Sequence, residues 1–117
     1  MTRPLSLAAL TVLELTPPEM VVCAAEAGFS HVGIRLMQFC DVPAELPSTM
    51  EAILAEARGE RRFPGEGGLD LPALLRAVPR ALPLSIEVPT QTLARTVGAA
   101  ERARRALACT KAVLARV

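Results

Sequence analysis

The chain has 117 residues, of which 51% are hydrophobic, 21% charged and 3% aromatic, with 13 basic and 12 acidic side chains and a formal net charge of +1. That balance belongs to a globular protein, excludes a disordered or fibrous one, and leaves no cationic field to grip a nucleic-acid backbone. The apolar runs fall short of a membrane span, no secretory cleavage pattern follows Arg3 and Pro4, and Cys23, Cys40 and Cys109 sit at no metal-binding spacing and read as reduced core thiols. The expectation is a single domain over 1–117, cytoplasmic, with no nucleic-acid or membrane partner.

Leu5 to Leu15 mixes Leu, Ala, Val and Thr and supplies a first short strand. Thr16-Pro17-Pro18-Glu19 then offers an N-cap, a proline at the first helical position and a capping-box glutamate. The helix it opens ends at Ala27, where Gly28 provides the left-handed turn and Phe29 folds back on it. His31 to Leu36 alternates, with Val32, Ile34 and Leu36 on one side, which is the period of a strand. Strand, helix and strand with short connections make a βαβ unit with parallel strands.

After Leu36 the strand-like run Met37-Gln38-Phe39-Cys40 continues with no intervening helix and breaks at Asp41-Val42-Pro43, so a seam is placed here. Ser48 and Glu51 form a second capping box ahead of a stripe of Met50, Ile53, Leu54 and Ala57 that Gly59 terminates. Residues 60–68, with two adjacent arginines and the run Pro64-Gly65-Glu66-Gly67-Gly68, are too rich in turn residues for a regular element. Asp70 caps a third helix with the stripe Leu71, Leu74, Leu75 and Val78, stopped by Pro79. Leu84 to Val88 alternates between Pro83 and Pro89 as another strand. A last helix from about Ala99 to Arg116 carries Ala103, Ala106, Leu107, Thr110 and Val113 on one side and arginines on the other, a cover over a sheet. The class is α/β.

Glu87 is the most pointed chemical signal, because a carboxylate near the C-terminal end of a short apolar strand stands where parallel α/β enzymes place ligands and acids. The structural alternative pairs it with an arginine such as Arg62. Gln38 and Asp41 reach the same mouth if the strands are parallel, and the structural alternative, which composition favours, makes Asp41 a cap on the turn before Val42-Pro43. Pro64 to Gly68 lacks the spacing of the dinucleotide or Walker loops, and Glu66 within it repels anions, so it reads as an ordered turn. His31 reads as structural, Arg35 as an anion binder or an ion-pair partner. Arg102, Arg104 and Arg105 read as a solvated helix face, with Glu101 and Arg105 paired at i,i+4.

TPPEMVVCAAEAGFSHVGIRL resembles the first strand-helix-strand unit of the xylose isomerase-like TIM barrels, the sugar phosphate isomerase/epimerase group. QFCDVPAELP, EARGERRFPGEGGLDLPALLRAVP and LPLSIEVP, in that order, resemble the last quarter of the same barrels. The two pieces, 1–36 and 37–117, cover nearly the whole chain. The resemblance implies a divalent metal (Mn, Mg or Zn) at the barrel mouth and an acid/base pair that moves a proton beside the carbonyl of a sugar or sugar phosphate. It makes Glu87 a metal ligand and catalytic group, places Gln38 where many relatives carry a histidine ligand, and brings in Asp41 as a third metal-site residue and Arg35 as a substrate-binding one. A complete (β/α)₈ barrel takes about 250 residues and at least about 200. The chain is therefore read as an internally truncated barrel, a fragment of three to four parallel strands with covering helices, spliced near Leu36 and Met37, with an open inner face. Two functions follow: a metal-dependent isomerase/epimerase, or a non-catalytic remnant that forms a homo-oligomer or interaction module. Metal-dependent DNA repair of the endonuclease IV type is disfavoured by the near-zero charge and the single histidine.

Overall fold

The computed structural model of the chain describes residues 3–12, 14–33, 38–45 and 47–117. Strand β1 (Leu5–Ala8) is followed by a 3₁₀ turn (Ala9–Val12), helix α1 (Pro17–Ala27), and strands β2 (His31–Gly33) and β3 (Gln38–Phe39). Helices α2 (Met50–Gly59) and α3 (Leu71–Ala77), strand β4 (Leu84–Ile86), a second 3₁₀ turn (Leu93–Arg95) and helix α4 (Ala99–Leu114) complete it. The four strands are all parallel, in the order β2-β1-β4-β3. Among the described residues the outer edges of β2 and β3 pair with nothing. An open parallel α/β sheet is thus present, as the alternation of strand and helix signals requires.

The steps from β1 to β2 and from β3 to β4 cross the sheet in the same direction. Right-handed crossovers then put their helices on one face. The packing agrees, since α4 lies against α1, α3 and β4 together. Leu5, Leu7, Leu84, Ile86 and Val88, of one strand parity, join Met20, Ala24, Leu75, Ala103, Leu107 and Val113 in a continuous core. The other parity is also shielded: Ser6, Ala8 and Ser85 are 1%, 2% and 1% exposed. The expected open inner face is therefore not met at the two central strands. Ser6 and Ser85 are neighbours in register, and their buried hydroxyls have no hydrogen-bond partner among the described residues.

Local signals hold in several places and shift in others. The backbone N–H and the hydroxyl of Thr16 both donate to Glu19 Oε2, at 2.7 and 2.8 Å. Gly28, at φ 99°, ends α1 in the left-handed turn, and the Phe29 N–H donates to Ala24 O, so the orphan carbonyls are served as that motif demands. The short strand expected within Leu5 to Leu15 is Leu5–Ala8. Beyond it the hydroxyl of Thr11 donates to Ile86 O at 3.0 Å and accepts from the Val88 N–H at 2.9 Å, so a side chain serves the β4 backbone where a longer β1 would have paired. The cap of α2 is Thr49, accepting from the Ala52 N–H, one residue after the expected Ser48. Its stripe lies open, with Met50 69% and Leu54 40% exposed. In α3 the cap is Asp70, as expected, but only Leu71 and Leu75 of the stripe are buried and Leu74 faces solvent. The end of the second predicted strand and the seam between Leu36 and Met37 lie outside the described residues.

Candidate functional site

The C-terminal ends of β3 and β4 lie side by side, and the ladder between them continues one step beyond the strands through Glu87 N–H to Phe39 O at 3.1 Å. Cys40, Asp41 and Glu87 therefore emerge at one rim, as parallel strands require. An antiparallel bridge brings the 60–63 turn to the same rim: Asp41 and Arg62 exchange both backbone hydrogen bonds at 2.9 Å. The 90–91 segment is tied there too, by Thr90 N–H to Glu60 O and Gln91 N–H to Gly59 O.

Glu87 is buried, and Arg61 Nη1 stands 2.9 Å from its Oε2. The same guanidinium donates through Nε to Ala57 O at 2.6 Å and reaches Glu87 O at 3.3 Å, so it is anchored at two ends before it meets the carboxylate. The structural alternative for Glu87, an ion pair with an arginine such as Arg62, is met by the neighbouring Arg61, while Arg62 faces solvent. The reason is local: Arg62 is committed by its backbone to Asp41, and Arg61, at φ 61°, takes a left-handed turn beside it. Thr90, at φ 45°, is left-handed as well, a conformation a β-branched residue seldom adopts. Each such residue costs about 1–3 kcal/mol and persists only where the surroundings hold it; both lie against this rim.

Asp41 is fully buried and its carboxylate is the hub of the glycine-rich loop. Oδ1 accepts from the N–H groups of Val42 and Leu69 at 2.8 and 3.1 Å, and Oδ2 from those of Gly65 and Gly67, both at 3.1 Å. Gly67 is required there, because a Cβ would stand 2.0 Å from Val42 O and 2.5 Å from Asp41 Oδ1. Pro64 to Gly68 is thus the ordered turn it reads as, with its amides converging on the chain's own aspartate. The signal was present in the alternation of Gly65 and Gly67 with a buried-parity aspartate upstream, but no local rule links residues so far apart.

A carboxylate offers about four lone-pair directions, and Asp41 has filled all of them with backbone donors. A metal at Asp41 would have to strip that loop, and at Glu87 it would share the carboxylate with Arg61. Asp41 as arranged has no lone pair left for a metal, and among the described residues there is no group of three or more His, Cys, Asp and Glu placed to hold one. The Gln38 backbone lies in register with Ser85, while its side chain and the whole of Arg35 fall outside the described residues. His31, at the edge of the sheet, is exposed and shares a 2.8 Å hydrogen bond with Ser30 Oγ, far from a catalytic arrangement.

Burial pushes the Cys40 thiol up, the Arg61 guanidinium beside it pulls the other way, and the Glu87 and Asp41 carboxylates add to the rise. It is therefore protonated at neutral pH and a weak nucleophile. All three cysteines are free thiols. What the rim offers is a buried carboxylate held by an arginine and a second carboxylate devoted to structure. Comparison of the chain with family models, curated proteins and solved structures gave no match.

Proposed function

We propose that this chain is a remnant of a sugar phosphate isomerase/epimerase barrel that acts as a non-catalytic, self-associating module. The observation that carries it is the engagement of Asp41 by four backbone N–H groups, with Arg61 on Glu87: the carboxylates that the resemblance assigns to a metal hold the rim together. The barrel origin is supported by the strand order. In a closed eight-stranded barrel the last strand pairs with the first, so joining its two ends leaves second, first, last and next-to-last in a row, all parallel, with helices on one face. The order β2-β1-β4-β3 has that form. Self-association is supported by the two unpaired outer edges among the described residues, by Val32 exposed on β2 and by the open stripe of α2, features that favour contact with another chain.

A thermal melt with and without Mn²⁺ tests the metal half. A native-state site filled at about 100 times its Kd adds about 2.7 kcal/mol, which is on the order of 10 °C for a chain of this size. No shift is expected; a rise of that order, lost in Glu87→Gln, overturns the proposal. Sedimentation tests the other half: an oligomer is expected, and a folded monomer at high protein concentration counts against the module.

One observation favours the active reading. The two left-handed residues Arg61 and Thr90 flank Glu87, and strain of this kind gathers at working sites. In that reading Glu87 is the base beside a sugar carbonyl, a divalent metal belongs to the site, and Arg35 orients the substrate. Deuterium incorporation from D₂O into an aldose or ketose phosphate, followed by NMR and abolished by Glu87→Gln, would establish it in place of the first.

A further inference from the structure

A groove of about 620 Å³ lies beside the rim, walled by the end of α2, the 60–63 turn and residues 90–96, within the ~300–1,000 Å³ of a small-molecule site. Of the charged side chains that line it, two are engaged by the chain itself: Arg61 by Glu87, and Glu60 by the N–H and hydroxyl of Thr92, at 3.0 and 2.6 Å. The side chains of the others, Glu56, Arg62 and Arg95, make no hydrogen bond or ion pair with a described residue. Opposite charges that share one wall without pairing are held apart by the fold. Glu56 Oε1 is buried without a partner among the described residues, and so is Thr90 Oγ1 of the same lining. Thr90 is 6% exposed and held in a left-handed conformation. Buried polar atoms left unpaired are costly.

We infer that this groove is a binding site for a free acidic α-amino acid. The uncommitted groups of the wall are two cations and one anion, and an acidic amino acid is their converse, with two carboxylates and one ammonium. Guanidinium forks match carboxylates with paired, charge-assisted hydrogen bonds, so Arg62 and Arg95 take the two carboxylates with nothing to displace. The ammonium gives Glu56 both a countercharge and the donor that its buried oxygen lacks. Thr90 Oγ1 donates to a carboxylate or accepts from the ammonium. A dicarboxylate without the ammonium satisfies the arginines and is repelled by Glu56, and a neutral side chain in place of the second carboxylate leaves one arginine unmatched. The inference rests on the groove and holds whether or not the chain descends from a barrel.

Calorimetry of the full chain in EDTA, at physiological salt, tests it with L-glutamate, L-aspartate, L-glutamine and N-acetyl-L-glutamate as separate probes. At least one of the two acidic amino acids is expected to bind. Relative to L-glutamate, glutamine lacks a carboxylate and the acetylated form lacks the ammonium, and each is expected to bind about tenfold more weakly or worse. Arg62→Ala and Arg95→Ala each weaken the acidic amino acid by a similar factor while leaving the unliganded melting temperature unchanged, since both side chains are exposed. Glu56→Gln narrows the difference between glutamate and its acetylated form. Absence of binding by both acidic amino acids overturns the inference. So does binding that survives in Arg62→Ala/Arg95→Ala, or acetylated glutamate bound as tightly as glutamate. EDTA removes metal from the measurement, so a failure here is distinct from a failure of the metal test above.

Discussion

Asp41 shows how one side chain can settle the use of a whole loop. Its carboxylate is the acceptor for backbone N–H groups that have no other partner among the described residues, and hydrogen bonds to a charged group are worth about 1.5–3 kcal/mol each. Asp41→Ala is expected to cost about 3–5 kcal/mol, because it orphans several buried donors at once, and to speed hydrogen exchange at Gly65, Gly67 and Leu69. Urea unfolding and amide exchange measure the two effects; a loss below about 1 kcal/mol would mean that the loop does not depend on the carboxylate. The thiols give a pH dependence. Burial raises Cys23, Cys40 and Cys109, the last up to about 11, with the Glu66 carboxylate 3.6 Å away adding to its rise. A raised acid keeps its proton in the folded chain while the unfolded chain ionises near 9.0. The associated stability is complete below pH 9 and disappears as pH climbs toward 11. The urea midpoint should fall across that window, and fall less in Cys109→Ser.

Among the elements, α4 and α2 depart from their sequence patterns in opposite ways. The arginine side of α4 is solvated at Arg104 and Arg105, which pair with Glu101 at 3.0 and 3.2 Å, but Arg102 is 1% exposed. It pairs with Glu14 and donates to Val97 O at 2.7 Å. The expectation of a solvated face fails there because α4 packs against both α1 and the first 3₁₀ turn, which widens its buried side beyond one stripe. Glu14→Gln strips the charge partner from a buried guanidinium. A loss of about 2 kcal/mol is expected, less than the 3–5 of a fully buried pair because the Glu14 carboxylate is half exposed. By contrast, the apolar stripe of α2 meets no core. Met50→Lys with Leu54→Lys should leave monomer stability within about 0.5 kcal/mol, as surface changes do, and should dissociate the oligomer if that stripe is the interface; sedimentation and a melt read the two separately.

At the scale of the molecule, the radius of gyration is 13.8 Å, close to the ~13 Å of a compact 100-residue domain. With both faces of β1 and β4 buried, the chain encloses its sheet centre without a second copy. Any association therefore belongs to the outer edges and to α2, and dilution should dissociate the proposed oligomer into folded monomers. Circular dichroism retained at concentrations where sedimentation gives a monomer is the expected result; unfolding on dissociation would mean that the inner face needs the partner after all.

How the elements came to be legible follows from the range of the forces that make them. The cap at Thr16, the left-handed stop at Gly28, the Asp70 cap and the alternation of Leu84, Ile86 and Val88 are contests among residues a few positions apart, so periodicity and turn chemistry disclose them, and with them the α/β class. The meeting of Glu87 and Asp41 at one rim also followed from parallel strands, whereas Cys40 beside them had been read only as a core thiol. What those groups do there depends on partners distant in sequence: Arg61 on Glu87, the 65–69 amides on Asp41, Thr11 on the β4 backbone, Glu14 on Arg102. Those pairings form only when the sheet order brings the segments together, and burial then decides which polar groups must find one another. Sequence by itself determined the elements and the rim; tertiary structure alone decided that the rim's carboxylates are spent on holding it closed, because a buried charge takes the donors the fold supplies.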